Sequence, residues 1–181
     1  NPHASVDTST EVTAAVLVIG DEILSGRTKE ANAGYIADVL TAAGIRLKEI
    51  RVVADVEADI VEALNTLRSR FSYVFTTGGI GPTHDDITAQ SVATAFGREI
   101  DVDQRALDLM MPHYRSRGVE LTPSRLRMAR IPQGAELIPN RITAAPGFQI
   151  ENVFIMAGVP AIMQVMLDEV LPKLRTGRKL L

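Results

Sequence analysis

A glycine-rich segment at residues 76–88, which reads T-T-G-G-I-G-P-T-H-D-D-I-T, has the composition of a phosphate-binding loop. Its small and hydroxyl-bearing residues include Thr77, Gly78, Gly79, Gly81 and Thr88. Glycines allow backbone N–H groups to come close to a ligand, and the N-terminus of the helix expected after the loop directs unpaired N–H groups toward negative charge. The segment therefore predicts an anion site, with phosphate as the natural ligand.

Two familiar phosphate motifs do not fit this loop. A P-loop requires G-x-x-x-x-G-K-[ST], and no lysine follows these glycines. A dinucleotide fingerprint requires G-x-G-x-x-G, but the glycines of Gly79-Ile80-Gly81 are followed by Pro82, Thr83 and then His84. The sequence therefore gives little support to an NTPase or to a nicotinamide dehydrogenase.

Carboxylates recur near the predicted carboxyl ends of three strands, as Asp21 and Glu22, then Asp55, then Asp85 and Asp86. A doubly wound sheet would bring these positions to one rim. Carboxylates beside a phosphate usually hold Mg²⁺ or a similar hard cation. Simpler roles are also open, since Asp21 would cap a turn, Glu22 would be solvated and Asp85 would cap the next helix. Asp86 is therefore the favoured functional carboxylate of its pair.

Strands and helices alternate along the first half of the chain, as in a parallel α/β sheet. Predicted strands occupy residues 14–19, 45–54 (near a sheet edge) and 72–76, and predicted helices start at Asn32 as N-cap, cover residues 59–70 and follow Asp85. The second half is expected to hold a helical insertion at residues 103–130 broken near Pro112, an extended segment at 134–140, a hairpin at 147–157 and a last helix from Pro160.

The composition fits one domain with an aliphatic core, since 46% of the 181 residues are hydrophobic and only 4% are aromatic. The absence of cysteine excludes a disulfide framework and a thiolate zinc site, and is compatible with the cytoplasm. A net charge of -3 provides no basic field for nucleic acid or anionic membrane. We expect a cytoplasmic protein without nucleic-acid or membrane partners, with a disordered lead or tag remnant (1–12), a folded domain (13–175) and a tail (176–181).

Two segments in this order, I-G-D-E-I-L-S-G at residues 19–26 and the glycine-rich segment, resemble the molybdopterin-binding family. This family includes the Mog and MoaB proteins of molybdenum cofactor assembly and the N-terminal domain of the competence/damage-inducible protein CinA. The CinA branch is the more similar, because A-P-G-F at residues 145–148 and G-V-P at 158–160 also match. The resemblance covers residues 13–175.

The resemblance implies a three-layer α/β/α sandwich with a mostly parallel sheet, usually assembled as a homo-oligomer, either a dimer or a trimer. It implies that the loop binds the phosphate of molybdopterin or of a nucleotide. In Mog-type adenylyltransferases two aspartates serve Mg²⁺-dependent transfer, and the matching positions, Asp55 and Asp86, are expected to be catalytic. Asp86, Asp55 and Glu22 are expected to hold Mg²⁺ or Co²⁺. The expected ligand-binding residues are Gly20, Asp21, Glu22, Thr77, Gly78, Gly79, Gly81, Thr88, Pro146 and Gly147.

The sequence also departs from the family patterns. The Mog loop usually has Thr where Ile80 stands and Arg where Asp85 stands, which favours the CinA branch. Residues 140–148 lack a proline, a glycine and a threonine of the usual CinA pattern N-P-x-G-T-A-P-G-F. The second half of the site is therefore expected to be altered.

Three functions are compatible with these observations. The first is a protein that binds molybdopterin or a nucleotide phosphate and is related to molybdenum cofactor metabolism. The second is a metal-dependent pyrophosphatase that cleaves ADP-ribose or a similar dinucleotide. The third is a regulatory domain that keeps the fold with a degraded site, for which the changed 140–148 segment is the main support.

Overall fold

The computed structural model describes residues 11–176, which form eight strands and seven α-helices. The strands are β1 (Val12–Ile19), β2 (Ile45–Val53), β3 (Tyr73–Thr77), β4 (Ile100–Val102), β5 (Arg130–Pro132), β6 (Glu136–Ile138), β7 (Gly147–Ile150) and β8 (Val153–Met156). The helices are α1 (Asp21–Leu24), α2 (Asn32–Ala42), α3 (Glu57–Arg70), α4 (Thr88–Phe96), α5 (Gln104–Ser116), α6 (Pro123–Leu126) and α7 (Pro160–Val170). Short 3-10 turns lie at Arg127–Ala129 and Leu171–Lys173.

Six of the strands form one sheet in the order β2-β1-β3-β8-β7-β6, and β4 and β5 form a separate antiparallel pair. The strands β2, β1, β3 and β8 are parallel, whereas β7 and β6 are antiparallel to their neighbours. β1 is an interior strand, between β2 and β3, and is almost wholly buried, as its unbroken apolar run predicts. The charged strand β2 lies at the edge, which confirms its predicted position.

Apolar side chains fill both faces of the sheet and create two cores. On one face the core includes residues of α3, α4 and α5, among them Ile60, Leu64, Leu67, Val92 and Met110. On the other face it includes residues of α2 and α7, among them Ile36, Leu40, Met163, Met166 and Leu167. The mostly parallel sheet therefore lies between two helical layers, which confirms the predicted three-layer α/β/α sandwich.

Two predictions about helices are wrong. Asn32 is the first residue of α2 and does not cap it; its side-chain amide donates to the carbonyl of Gly158 at 2.8 Å. The helix α5 is not broken at Pro112 but continues to Ser116. Proline removes the bond to the carbonyl four residues earlier, and that residue, Asp108, is exposed, so water can replace the missing donor.

The hairpin predicted around residues 151 and 152 is confirmed by the antiparallel pairing of β7 with β8. The predicted lead and tail lie mostly outside the described residues, although Val12 already belongs to β1. Within residues 11–176 no helix is both long and apolar enough to cross a membrane.

Candidate functional site

The glycine loop, residues 78–81, follows the carboxyl end of β3 and packs against Ile19 at the end of β1. Gly78 has a φ of 101°, and a Cβ atom added there would lie 2.2 Å from the carbonyl oxygen of Ile19. Gly158, which follows β8, also packs closely against Gly78, since a Cβ atom added to Gly158 would lie 3.1 Å from Gly78 Cα. Only glycine satisfies both the left-handed φ and the close approach at position 78.

Thr88, the first residue of α4, holds this loop in place through two hydrogen bonds. Its hydroxyl donates to the carbonyl of Gly78 at 2.9 Å, and its backbone N–H donates to the carbonyl of Gly79 at 3.0 Å. Thr88 is fully buried, and its hydroxyl occupies the space that a Cβ on Gly79 would need. Thr88, predicted to bind ligand, therefore holds the loop in place and does not line a cavity.

Three consecutive backbone N–H groups in the loop, those of Gly79, Ile80 and Gly81, make no hydrogen bond to any residue within 11–176. The N–H of Gly78, by contrast, donates to the carbonyl of Met156 at 3.1 Å. Gly79, Ile80 and Gly81 also line the larger of two cavities described below. Adjacent unpaired N–H groups in a turn are the donors that anion-binding loops use.

Asp86 shapes the segment between the glycines and α4. One of its carboxylate oxygens accepts from the backbone N–H of Thr83 at 2.9 Å and from the hydroxyl of Thr83 at 2.8 Å. Asp85 is exposed and faces His84 at 3.3 Å. Because α4 begins at Thr88 and has no side-chain cap, the prediction that Asp85 caps this helix is wrong.

Two aspartates separated by 34 residues meet at the carboxyl ends of β1 and β2. The backbone N–H of Asp21 donates to Asp55 at 3.1 Å, and the backbone N–H of Asp55 donates to Asp21 at 3.0 Å. Asp21 therefore does not cap α1. Desolvation raises the pKa of Asp55, and the negative charges of Asp21, Glu22 and Asp86 raise it further, against the lowering effect of the Asp21 N–H.

These carboxylates line a small polar cavity of about 270 Å³. Its walls include Asp21, Glu22, Asp55, Asp85, Asp86 and one basic residue, Arg27. The predicted convergence of the three strand ends is thus present in the structure. Within residues 11–176, however, no three His, Asp or Glu side chains form a group that could hold a metal ion by themselves.

A larger cavity of about 650 Å³ adjoins the small one, and the two share Ile19, Glu22, Gly79 and Asp86. Six predicted site residues line it, namely Glu22, Thr77, Gly78, Gly79, Gly81 and Asp86. Asp21 and Asp55 line only the small cavity, and Gly20, Thr88, Pro146 and Gly147 line neither. An added Cβ on Gly147 would lie 2.3 Å from the carbonyl oxygen of Ile155, so this glycine serves strand packing.

The segment at residues 140–146 forms a second wall of the larger cavity and is organised by one buried side chain. Asn140 accepts from the N–H groups of Ile142 at 2.8 Å and Thr143 at 3.2 Å, and it donates to the Thr143 hydroxyl and to the Ala145 carbonyl. Ala144 has a φ of 68°. Despite the lost glycine, the segment still lines the cavity through Asn140, Thr143 and Ala145.

Several residues that line the larger cavity were not predicted from the sequence. Asn32 ties the start of α2 to Gly158, and Tyr114 reaches the cavity from α5. Their signals were weak, because an asparagine at a helix start is ordinarily interpreted as an N-cap and a tyrosine within an amphipathic helix as a core residue.

Residues 15–176 match a family described as a probable molybdopterin binding domain. A protein of Caldivirga maquilingensis is 43% identical over 166 residues, which cover 90% of this chain and 65% of that protein. A CinA-like protein of Citrifermentans bemidjiense is 44% identical over 169 residues, which cover 91% of this chain and 41% of that protein. The chain thus spans less than two thirds of the length of these relatives.

Solved structures of CinA and MoaB proteins are also similar to this chain. The crystal structure of the protein CinA with unknown function from Thermoplasma acidophilum superposes with a TM-score of 0.82 at 33% identity, covering 91% of this chain and 98% of that one. The molybdopterin biosynthesis enzyme MoaB from Thermus thermophilus superposes with a TM-score of 0.62 at 21% identity, covering 90% and 91%. The second likeness concerns the fold alone.

Proposed function

The chain belongs to the family of probable molybdopterin binding domains, and from this premise we propose that it binds a heterocyclic ligand through its phosphate, either molybdopterin or a nucleotide. The observation that carries the proposal is the row of unpaired N–H groups at Gly79, Ile80 and Gly81 on the wall of the larger cavity. Such donors bind phosphate oxygens, and about 650 Å³ is ample for a ring system.

The carboxylates beside the loop support binding of Mg²⁺ or Co²⁺ together with the ligand. Mg²⁺ is usually held by one or two carboxylates, waters and substrate phosphates, and not by a complete protein cage. Asp86 and Glu22 line both cavities and Asp55 lines the small one, so their oxygens fit such a partial set. A bound cation would neutralise phosphate charge and relieve the carboxylate repulsion that, in addition to desolvation, raises the pKa of Asp55.

A second candidate function is metal-dependent cleavage of a dinucleotide such as ADP-ribose. The observation that favours it is the junction of the two cavities at Gly79 and Asp86, where carboxylates meet the phosphate loop. In this role Asp55 and Asp86 would hold the cation and orient water. The cation would polarise the phosphoanhydride bond that breaks.

One experiment separates these functions. The purified protein is incubated with ADP-ribose and Mg²⁺ or Co²⁺ while AMP release is followed, and molybdopterin binding is measured in parallel. Asp86→Asn keeps an oxygen that can accept from Thr83, and Asp38→Asn, at an exposed position of α2 outside both cavities, is the matched control. Metal-dependent AMP release that is lost only in Asp86→Asn supports the hydrolase.

The other outcomes are equally distinct. Tight molybdopterin binding without AMP release supports a cofactor-binding protein. If the protein binds neither ligand, with or without metal, both proposals are wrong and a regulatory domain without a working site is favoured.

A further inference from the structure

Tyr114 lines the larger cavity and comes from outside the six-stranded sheet. Tyr114 belongs to α5, in the segment between β4 and β5. Gly79 and Ile80 of the glycine loop line the same cavity. Only 9% of the residue is exposed. Within residues 11–176 its hydroxyl makes no hydrogen bond.

Because this hydroxyl is not one of the fully buried side-chain atoms that lack a partner within residues 11–176, it is open to the cavity or to solvent and is free to bond to a ligand. The aromatic ring itself is held in place, since the Arg125 guanidinium lies 5.9 Å from its centroid and the His113 ring packs edge-on at 6.0 Å. Burial raises the pKa of Tyr114, so the hydroxyl keeps its proton at neutral pH and can both donate and accept.

Much of the lining of the larger cavity is apolar. Met128, Ile162 and Met166 line the same cavity and offer no strong hydrogen-bonding group. Ligand cavities commonly combine apolar walls with a few polar groups that fix the orientation of the ligand. Tyr114 is one of the polar residues in this lining, together with the glycine loop, Asp86 and Asn140.

We propose that the Tyr114 hydroxyl is a specificity-determining contact that forms a hydrogen bond with the polar edge of a fused heteroaromatic ring. This inference rests on the proposed function, because it assumes that the phosphate of the same ligand occupies the glycine loop. Purines and pterins both present ring nitrogens and exocyclic groups at such an edge. A sugar phosphate offers the phosphate without the ring.

The test compares ring-bearing and ring-free probes by calorimetric titration. AMP and 6-hydroxymethylpterin phosphate carry the two kinds of ring, and ribose 5-phosphate carries none. Tyr114→Phe removes only the hydroxyl, and Tyr35→Phe, on α2 and outside both cavities, is the matched control. Thermal unfolding of each variant checks that the fold is retained.

We expect Tyr114→Phe to weaken the ring-bearing probe that the native protein prefers by about three- to tenfold, the effect of losing one neutral hydrogen bond. Binding of ribose 5-phosphate should not change, and Tyr35→Phe should bind all probes as the native protein does. Which ring loses affinity distinguishes a purine ligand from a pterin ligand.

Two results would overturn the inference while leaving the proposed function intact. One is unchanged affinity of Tyr114→Phe for both ring-bearing probes, and the other is an equal loss for ribose 5-phosphate, which would indicate a structural role. If the native protein binds none of the three probes, phosphate binding at the loop fails and the inference fails with it.

Discussion

Two segments line the larger cavity, and they hold their shapes by different means. In the glycine loop the residues with positive φ are Gly78 and Gly79, and backbone or buried side-chain atoms fill the space beside each of them. In the segment at 140–146 the positive φ belongs to Ala144, and the hydrogen bonds of Asn140 maintain the turn. The first segment is fixed by steric fit and the second by a side-chain network.

This difference explains why the segments tolerate change unequally. A Cβ at position 78 has no room, because it would meet the carbonyl of Ile19, which belongs to a strand paired on both sides. The second segment has lost a glycine of the CinA pattern and still lines the cavity, since Asn140 satisfies the turn whatever residues lie between. Sequence divergence near a site is therefore weak evidence of a lost site where a buried amide organises the backbone.

The largest expected effect is that of Gly78→Ala. The added Cβ would meet the Ile19 carbonyl and the residue would keep a left-handed φ, so we expect a loss of about 2–5 kcal/mol in the free energy of unfolding. Gly97→Ala is the control, because Gly97 has a φ of 64° with open space beside it and should lose only about 1–2 kcal/mol. Equal losses in urea denaturation would contradict the steric account.

Asn140→Ala should have the next largest effect. It removes four hydrogen bonds from a residue that is 4% exposed, so we expect a loss of about 2–3 kcal/mol. Asn140→Asp keeps the acceptor oxygen but places a buried negative charge against the Ala145 carbonyl, so its unfolding midpoint at neutral pH should fall at least as far as that of Asn140→Ala. A native-like midpoint for Asn140→Ala would refute the role given to this amide.

Thr88→Val tests the hydrogen bond beneath the glycine loop. The change preserves shape but leaves the Gly78 carbonyl without its donor, and we expect a loss of about 1–3 kcal/mol with weaker phosphate binding. Thr94→Val, at an exposed position on the same helix, should change stability by less than about 0.5 kcal/mol. If the two variants unfold alike, Thr88 does not brace the loop.

The smallest expected effect is a gain from Ala144→Gly. Glycine adopts the left-handed conformation without the penalty that alanine carries, and the greater entropy of its unfolded state offsets part of the benefit. We expect a net stabilisation of about 0.5–1 kcal/mol by thermal unfolding. Ala145→Gly, which has no positive φ, should be destabilised; a loss in Ala144→Gly would show that the segment is not strained.

The sequence was informative where the physical signal was local or periodic. The apolar run of β1 and the charged pattern of β2 indicated their places in the sheet, and counting strands placed Asp21 and Asp55 at one rim. Long-range partners carried no such signal: nothing near Asn32 indicates that its amide bonds to Gly158, 126 residues away. The roles of Thr88 and Tyr114 likewise depend on packing between distant elements.

Two helix boundaries, near Asp85 and Pro112, could not be predicted from the types of the neighbouring residues alone. Asp85 has the chemistry of an N-cap, yet the chain stays irregular until Thr88 because Asp86 bonds back to Thr83. Pro112 would ordinarily end a helix, but its place on an exposed turn of α5 makes the missing bond inexpensive.

The central claim is that the backbone of the glycine loop binds phosphate, and an amide-resolved NMR titration with inorganic phosphate tests it most directly. We predict that the N–H resonances of Gly79, Ile80 and Gly81 shift together and saturate, while the N–H of Gly97, which already donates to Thr94, stays in place. Loop resonances that do not move, or that move no more than those of exposed surface residues, would contradict the claim.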